Sequence, residues 1–150
     1  MTHRANQIVD AMVSIIDTAA SPLGIHVYPH RRFSLAGDQD ELPAISVDFG
    51  EDSPQHELTG GYFDSLLTCM VTAVAEAPEE QDLKLELLDL RRKAHVALMA
   101  DRKLGLEFVV NTLYAGAEAP QIEAAGETIQ GALTSVWQVY YRMNISDPGN

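Results

Sequence analysis

A single cysteine, Cys69, is present, so no disulfide can form within the chain and no Cys-x-x-Cys site exists. It lies in Leu66-Leu67-Thr68-Cys69-Met70-Val71, where a free thiol packs as a small hydrophobe and is inert as a nucleophile. Cations are scarce: 10 Lys and Arg stand against 22 Asp and Glu, a formal net charge of −12. Nucleic-acid binding rests on neutralising phosphates with Lys and Arg, and that balance argues against it. Of the two basic clusters, Arg31-Arg32 is too short to count as a patch, and Arg91-Arg92-Lys93 reads as the C-terminal half of a helix. No apolar run approaches the roughly 18–20 residues needed to span a bilayer. Met1 to Gln7 leads into an amphipathic pattern rather than a continuous apolar one, so no cleaved leader is expected. Repeats, low-complexity tracts and linkers are missing as well.

Catalytic signatures are equally sparse. There is no Gly-x-Ser-x-Gly elbow and no His-Glu-x-x-His. His26 and His30 share a predicted strand face but stand about 13 Å apart, too far to share one zinc ion. Asp38-Gln39-Asp40-Glu41 opens like a calcium loop, but proline at position 43 replaces the turn glycine that such a loop requires. Gly60-Gly61 leads into a strand rather than a helix, which is the wrong context for a phosphate cradle. Trp137, Tyr140 and Tyr141 are candidates for a ligand pocket, with core and interface packing as the competing reading. Catalytic, metal and cofactor-binding residues are therefore expected to be none.

What the chain does have is 46% apolar residues in 150, enough for one hydrophobic core. Ala5, Ile8, Met12, Ile15, Ile16 and Ala19 recur at helical spacing and predict a helix from about Arg4 to Ala20, with Thr2 as its N-cap and Ser21-Pro22 as its end. Ile25 to Arg31 reads as a short strand, with Pro29 marking either an edge position or the strand's end. Leu42 to Phe49 alternates cleanly as a second strand. Gly50 to Gly61 has turn chemistry and is expected to be a long, mobile hairpin loop. Tyr62 to Ala75 is a long strand, apolar on both faces over Leu66–Val74. Ala77-Pro78-Glu79-Glu80 starts a second helix with the core stripe Leu83, Leu87, Leu90, Ala94, Ala97 and Leu98, stopped at Gly105. Its acids precede its bases, as the helix dipole favours. Strands follow at Leu106 to Ala115 and Ala132 to Ile145, with a short extended piece at Gln121 to Ala124. The expected fold class is α+β: a single domain over 1–150, a mixed, mainly antiparallel sheet with two principal helices packed on it, and 144–150 a frayed tail.

Several of these features resemble the tail terminator (tail completion, minor tail protein U-like) proteins of long-tailed bacteriophages. The opening helix leads to Val27-Tyr28-Pro29-His30-Arg31-Arg32; a polar loop precedes the strand start Glu41-Leu42-Pro43-Ala44-Ile45-Ser46-Val47. A long hairpin runs into Ala77-Pro78, a helix carries Leu87-Leu88-Asp89 and Ala97-Leu98, and the last strand ends near Tyr140-Tyr141-Arg142. Gly116 to Gly131 has no counterpart in the pattern. The resemblance implies a non-enzymatic virion protein, assembled in the host cytoplasm, that forms a homo-oligomeric ring, typically hexameric. Such a ring caps the head-proximal end of the tail tube, ends tube polymerisation and offers a surface for head–tail joining. Its implied partners are further copies of itself, the tail tube protein and the head–tail connector or stopper; genome DNA passes through without sequence-specific binding, and no membrane is involved. On this reading the contact candidates are Arg31, Arg32, Asp38, Asp40, Glu41, Glu51, Asp52, His56, Arg91, Arg92 and Lys93. Two rivals stand beside it: another neck or tube protein of the virion, or a small cytoplasmic dimeric module binding a ligand with Trp137 and Tyr62.

Overall fold

The computed structural model describes residues 2–30, 42–58 and 60–150, with only the backbone of His56, Leu58 and Ala125. The elements follow in the order α1 (Arg4–Ala20), β1 (His26–Pro29), β2 (Ala44–Leu58), β3 (Tyr62–Ala77), α2 (Glu80–Met99), β4 (Val109–Ala117), β5 (Gln121–Ala125) and β6 (Thr128–Asn144). Two helices lie on a six-stranded sheet of order β1-β2-β3-β6-β4, with β5 also paired to β6. Only the β1–β2 pair is parallel; every other pair is antiparallel. The fold is the expected α+β single domain.

α1 forms where its spacing predicts, burying Ala5, Ile8, Val9, Met12, Ile16 and Ala20. Its cap differs from expectation: the Nδ1 of His3, rather than Thr2, accepts from the Ala5 N–H at 3.0 Å. Ala19 is exposed and Ile15 half-buried, because the helix turns its buried stripe toward Val9 and Ala20. α2 buries Leu83, Leu87, Leu90, Ala94 and Leu98, one unbroken stripe of three- and four-residue steps. It ends at Met99, before Gly105. The Asp101 carboxylate accepts from the N–H groups of Lys103 (3.0 Å) and Gly105 (2.8 Å), a local competition that breaks helices early.

β3 and β6 pair along their whole lengths, Tyr62 opposite Asn144 through to Ala77 opposite Ile129. The helices cover the face that carries Leu67, Cys69, Val71, Ala73 and Ala75 of β3 with Leu133, Trp137, Val139 and Tyr141 of β6, all buried. The opposite face holds Leu66, Thr68, Met70, Val136, Gln138 and Tyr140, each half-buried.

The largest difference from expectation lies at 50–61. Instead of a long loop, β2 continues to Leu58 and β3 begins at Tyr62. Two register shifts, between Phe49 and Asp52 and between Pro54 and His56, each insert one extra residue. β1 pairs only with Ala44 to Val47, so beyond Val47 the outer edge of β2 has no strand beside it among the described residues. Pro54 is tolerated there, since an edge needs no N–H for the ladder.

β1 lies at the sheet edge among the described residues and ends at Pro29, which suits both places that a proline allows. The last residues, expected to fray, carry hydrogen bonds. The Arg4 N–H donates to the Pro148 carbonyl at 2.9 Å and the Asn144 N–H to that of Asn150 at 2.6 Å. The first of these satisfies a donor at the start of α1 that no intrahelical partner can reach.

Candidate functional site

The expected contact residues scatter. Arg31, Arg32, Asp38, Asp40 and Glu41 lie outside the described residues, as does the side chain of His56. Glu51 and Asp52 sit at the first bulge of β2, and Arg91, Arg92 and Lys93 lie midway along α2.

The bulge gives Asp52 an inward task. One extra residue after Phe49 pairs Asp52 with Leu67, on the helix-covered side, rather than with Leu66 on the other. There its carboxylate accepts from the hydroxyls of Ser65 and Tyr141, both at 2.6 Å. Tyr141 is fully buried. Burial raises its phenol pKa above the usual range; the hydrogen bond to Asp52 and the Asp52 charge add to the rise, while Ser65 offsets part of it. Asp52, although exposed, thus ties β2 to Ser65 of β3 and Tyr141 of β6. Burial also pushes the Cys69 thiol up to about 12, with the Asp52 and Asp48 charges adding.

Arg91, Arg92 and Lys93 do not form one face. Consecutive residues step about 100° around a helix, so three of them sweep some 200°. Arg91 turns toward the sheet, where it donates to the Tyr114 hydroxyl and its guanidinium lies 5.1 Å from the ring centroid. Lys93 turns to the other flank and pairs with Asp89, one turn back. On that flank burial lifts the Glu86 carboxyl above its ordinary range, Asp89 adds to the rise and Lys93 opposes it. Arg92 points outward and is exposed.

Beside Arg92 the helix carries apolar side chains that the core does not use: Leu85 (60% exposed), Leu88 (51%) and Val96 (58%). Leu88, Arg91, Arg92, His95 and Val96 line an open groove of about 280 Å³. Its inner wall is stiff, since the His95 ring lies 5.0 Å from that of Tyr114 and 5.1 Å from that of Trp137. A second open groove, about 360 Å³, is lined by Pro54, Gln55, Glu57, Phe63 and Ile145 near the β2–β3 turn. Sequence reasoning missed Leu85 and Val96 as surface features. The available signal was their position: on a helical wheel they fall opposite the stripe from Leu83 to Leu98.

The aromatic residues resolve toward packing. Trp137 is buried, its indole N–H donating to Ser135 Oγ at 3.1 Å. Tyr62 lies seven residues from Cys69, the ladder partner of Trp137, which is about 24 Å along the strand. Trp137 and Tyr62 therefore cannot close on one small ligand. Among the described residues no group of three or more His, Cys, Asp or Glu is placed to hold a metal ion, and no helix is long and apolar enough to cross a membrane.

No protein-family model matches this chain, and no curated protein is similar to it. Among solved structures, a chain from the virion of a native gene transfer agent particle is similar, at 12% identity and a TM-score of 0.36, over 86% of this chain and 84% of that one. So distant a likeness transfers neither a residue nor a role.

Proposed function

We infer that this protein is a structural component of a phage-like virion, a tail terminator that works by binding copies of itself and its neighbours rather than by chemistry. It forms a ring, with six subunits expected, that caps the head-proximal end of the tail tube, halts tube growth and offers a surface for head–tail joining. The observation that carries this reading is where the molecule leaves its large apolar side chains exposed. Leu85, Leu88 and Val96 on α2, Val110 on β4 and Ile145 after β6 lie on open surfaces. Exposed apolar side chains gathered on one face, as Leu85, Leu88 and Val96 are on α2, mark protein contacts. The sequence resemblance supplies the particular assembly: it implies a mixed α/β domain, and this chain has one.

Negative-stain electron microscopy across a concentration series, with and without magnesium, tests the reading. Closed rings with a channel wide enough for duplex DNA are expected, and added protein should shorten tubes grown from the cognate tube subunit. Monomers or two-fold dimers at every concentration, with no effect on tube length, would overturn it.

A further inference from the structure

The two grooves differ in charge as well as position. From Leu42 to Leu83 the sequence has no Lys or Arg, while Asp48, Glu51, Asp52, Glu57, Asp64 and Glu76 all fall on β2 and β3. The hairpin is an acidic arm. Of the ten cations, five lie between Arg91 and Lys103, along the second half of α2 and the turn after it. The groove on the arm has an apolar floor of Pro54, Phe63 and Ile145 with Glu57 at its rim. The groove on α2 has Leu88 and Val96 with Arg91 and Arg92 at its rim. Each therefore offers apolar contact, with charge of opposite sign at its rim.

They cannot meet within one molecule. Phe63 is six residues from Cys69, which pairs with Trp137 under the α2 groove, a distance of about 20 Å along a stiff strand. We propose that the arm surface of one copy formed by Pro54, Glu57, Phe63 and Ile145 docks on the Leu88–Val96 surface of α2 of the next. The occupant is a second copy of this chain, recognised by apolar contact and by Glu57 at one rim facing the exposed Arg92 at the other. Because the two patches differ, the contact is head-to-tail. Such contacts propagate, closing into a ring when the rotation per subunit divides a full turn. This inference rests on the ring reading above and assigns its subunit interface.

The experiment uses two surface variants of the full chain, Val96→Asp to block the α2 groove and Ile145→Asp to block the hairpin groove. Both positions are at least half exposed, and circular dichroism verifies that each variant folds. Burying an aspartate against either apolar floor weakens self-association by at least about tenfold, so each variant alone stays monomeric in sedimentation velocity where the native chain assembles. Mixed one to one, they retain one intact groove of each kind and form a heterodimer that grows no further. As a second probe, Glu57→Arg and Arg92→Glu each weaken assembly, and the double variant regains it. Rings that persist in both aspartate variants, or a mixture with no heterodimer, would overturn this interface and leave the ring reading standing. A native chain that stays monomeric up to about 1 mM and also leaves tube length unchanged would sink both.

Discussion

Asp52 shows how one carboxylate reaches a structural position by a backbone irregularity. Its two acceptor bonds satisfy Ser65 and the buried Tyr141 hydroxyl, and a buried hydroxyl without an acceptor costs about 1–3 kcal/mol. Asp52→Ala should lower the unfolding free energy by about that amount, while Asp52→Asn, which keeps an acceptor oxygen, should cost less. Urea midpoints of the two variants measured side by side decide it; equal midpoints would mean that water already serves both hydroxyls. Cys69 gives a second residue-scale consequence, through pH. The thiol titrates at 9.0 when free of its surroundings and at about 12 in the fold. Between those values the folded state holds a proton that the unfolded chain has released. The folded state then binds more protons, so stability is whole below about pH 9 and falls as pH rises through that window. Tyr141, also raised, pushes in the same direction above its ordinary value of 10.0. Urea titrations at rising alkaline pH should show this decline, shallower in Cys69→Ala than in the native chain. A decline of unchanged steepness in that variant would remove Cys69 as its cause.

At the scale of elements, the approach of α2 to the sheet is set by a missing side chain. A Cβ on Gly131 would stand 3.0 Å from both Leu83 Cδ2 and Leu87 Cδ1, too close unless the leucines or the helix shift. Gly131→Ala should destabilise by about 1–3 kcal/mol through overpacking, and Leu87→Ala in the same chain should recover part of that loss. Additive losses in the double-mutant cycle would show that the two sites do not press on each other. The same elements show what was legible in the sequence. α1 and α2 declared themselves because each has one face to bury, and that requirement writes a helical period into consecutive residues. β3 did so because a central strand is apolar over a continuous run, and β6 because Leu133, Trp137, Val139, Tyr141 and Met143 recur on alternate positions. The outer half of β2 was not legible. Gly50-Glu51-Asp52-Ser53-Pro54 has the local chemistry of a turn, and what makes it a strand is the ladder to β3, a partner that no local window contains. Its bulges then decide which way Asp52 faces, again a matter of register rather than residue type. The basic trio on α2 was placed on the right element, but neighbours in sequence diverge around a helix. Only Arg92 remains on the outward surface, beside the leucines and valine that the core pattern left over.

For the molecule as a whole, charge is arranged rather than merely abundant. The acids of β2 and β3 and the cations of 91–103 are the two ends of one distribution, within a chain whose net charge is −12. If the hairpin of each copy meets α2 of the next, the scarce cations are spent on subunit contacts, and the remaining surface is more acidic than the free chain's. Each subunit still brings its full −12 to the ring. Binding to duplex DNA depends on releasing counterions from neutralised phosphates, and it weakens steeply where Lys and Arg are few. A channel lined by such subunits would repel a genome moving through it, which is what a passage requires and a binding protein avoids. The expected outcome is that assembled protein at about 10 µM fails to retard duplex DNA of any sequence at physiological salt, a concentration at which ordinary non-specific binders do so. Retardation that weakens as salt rises would instead reveal a basic strip turned toward the channel. It would mean that cations here face the nucleic acid, and loss of that retardation in Arg92→Gln would place Arg92 in the channel rather than under a neighbour's hairpin.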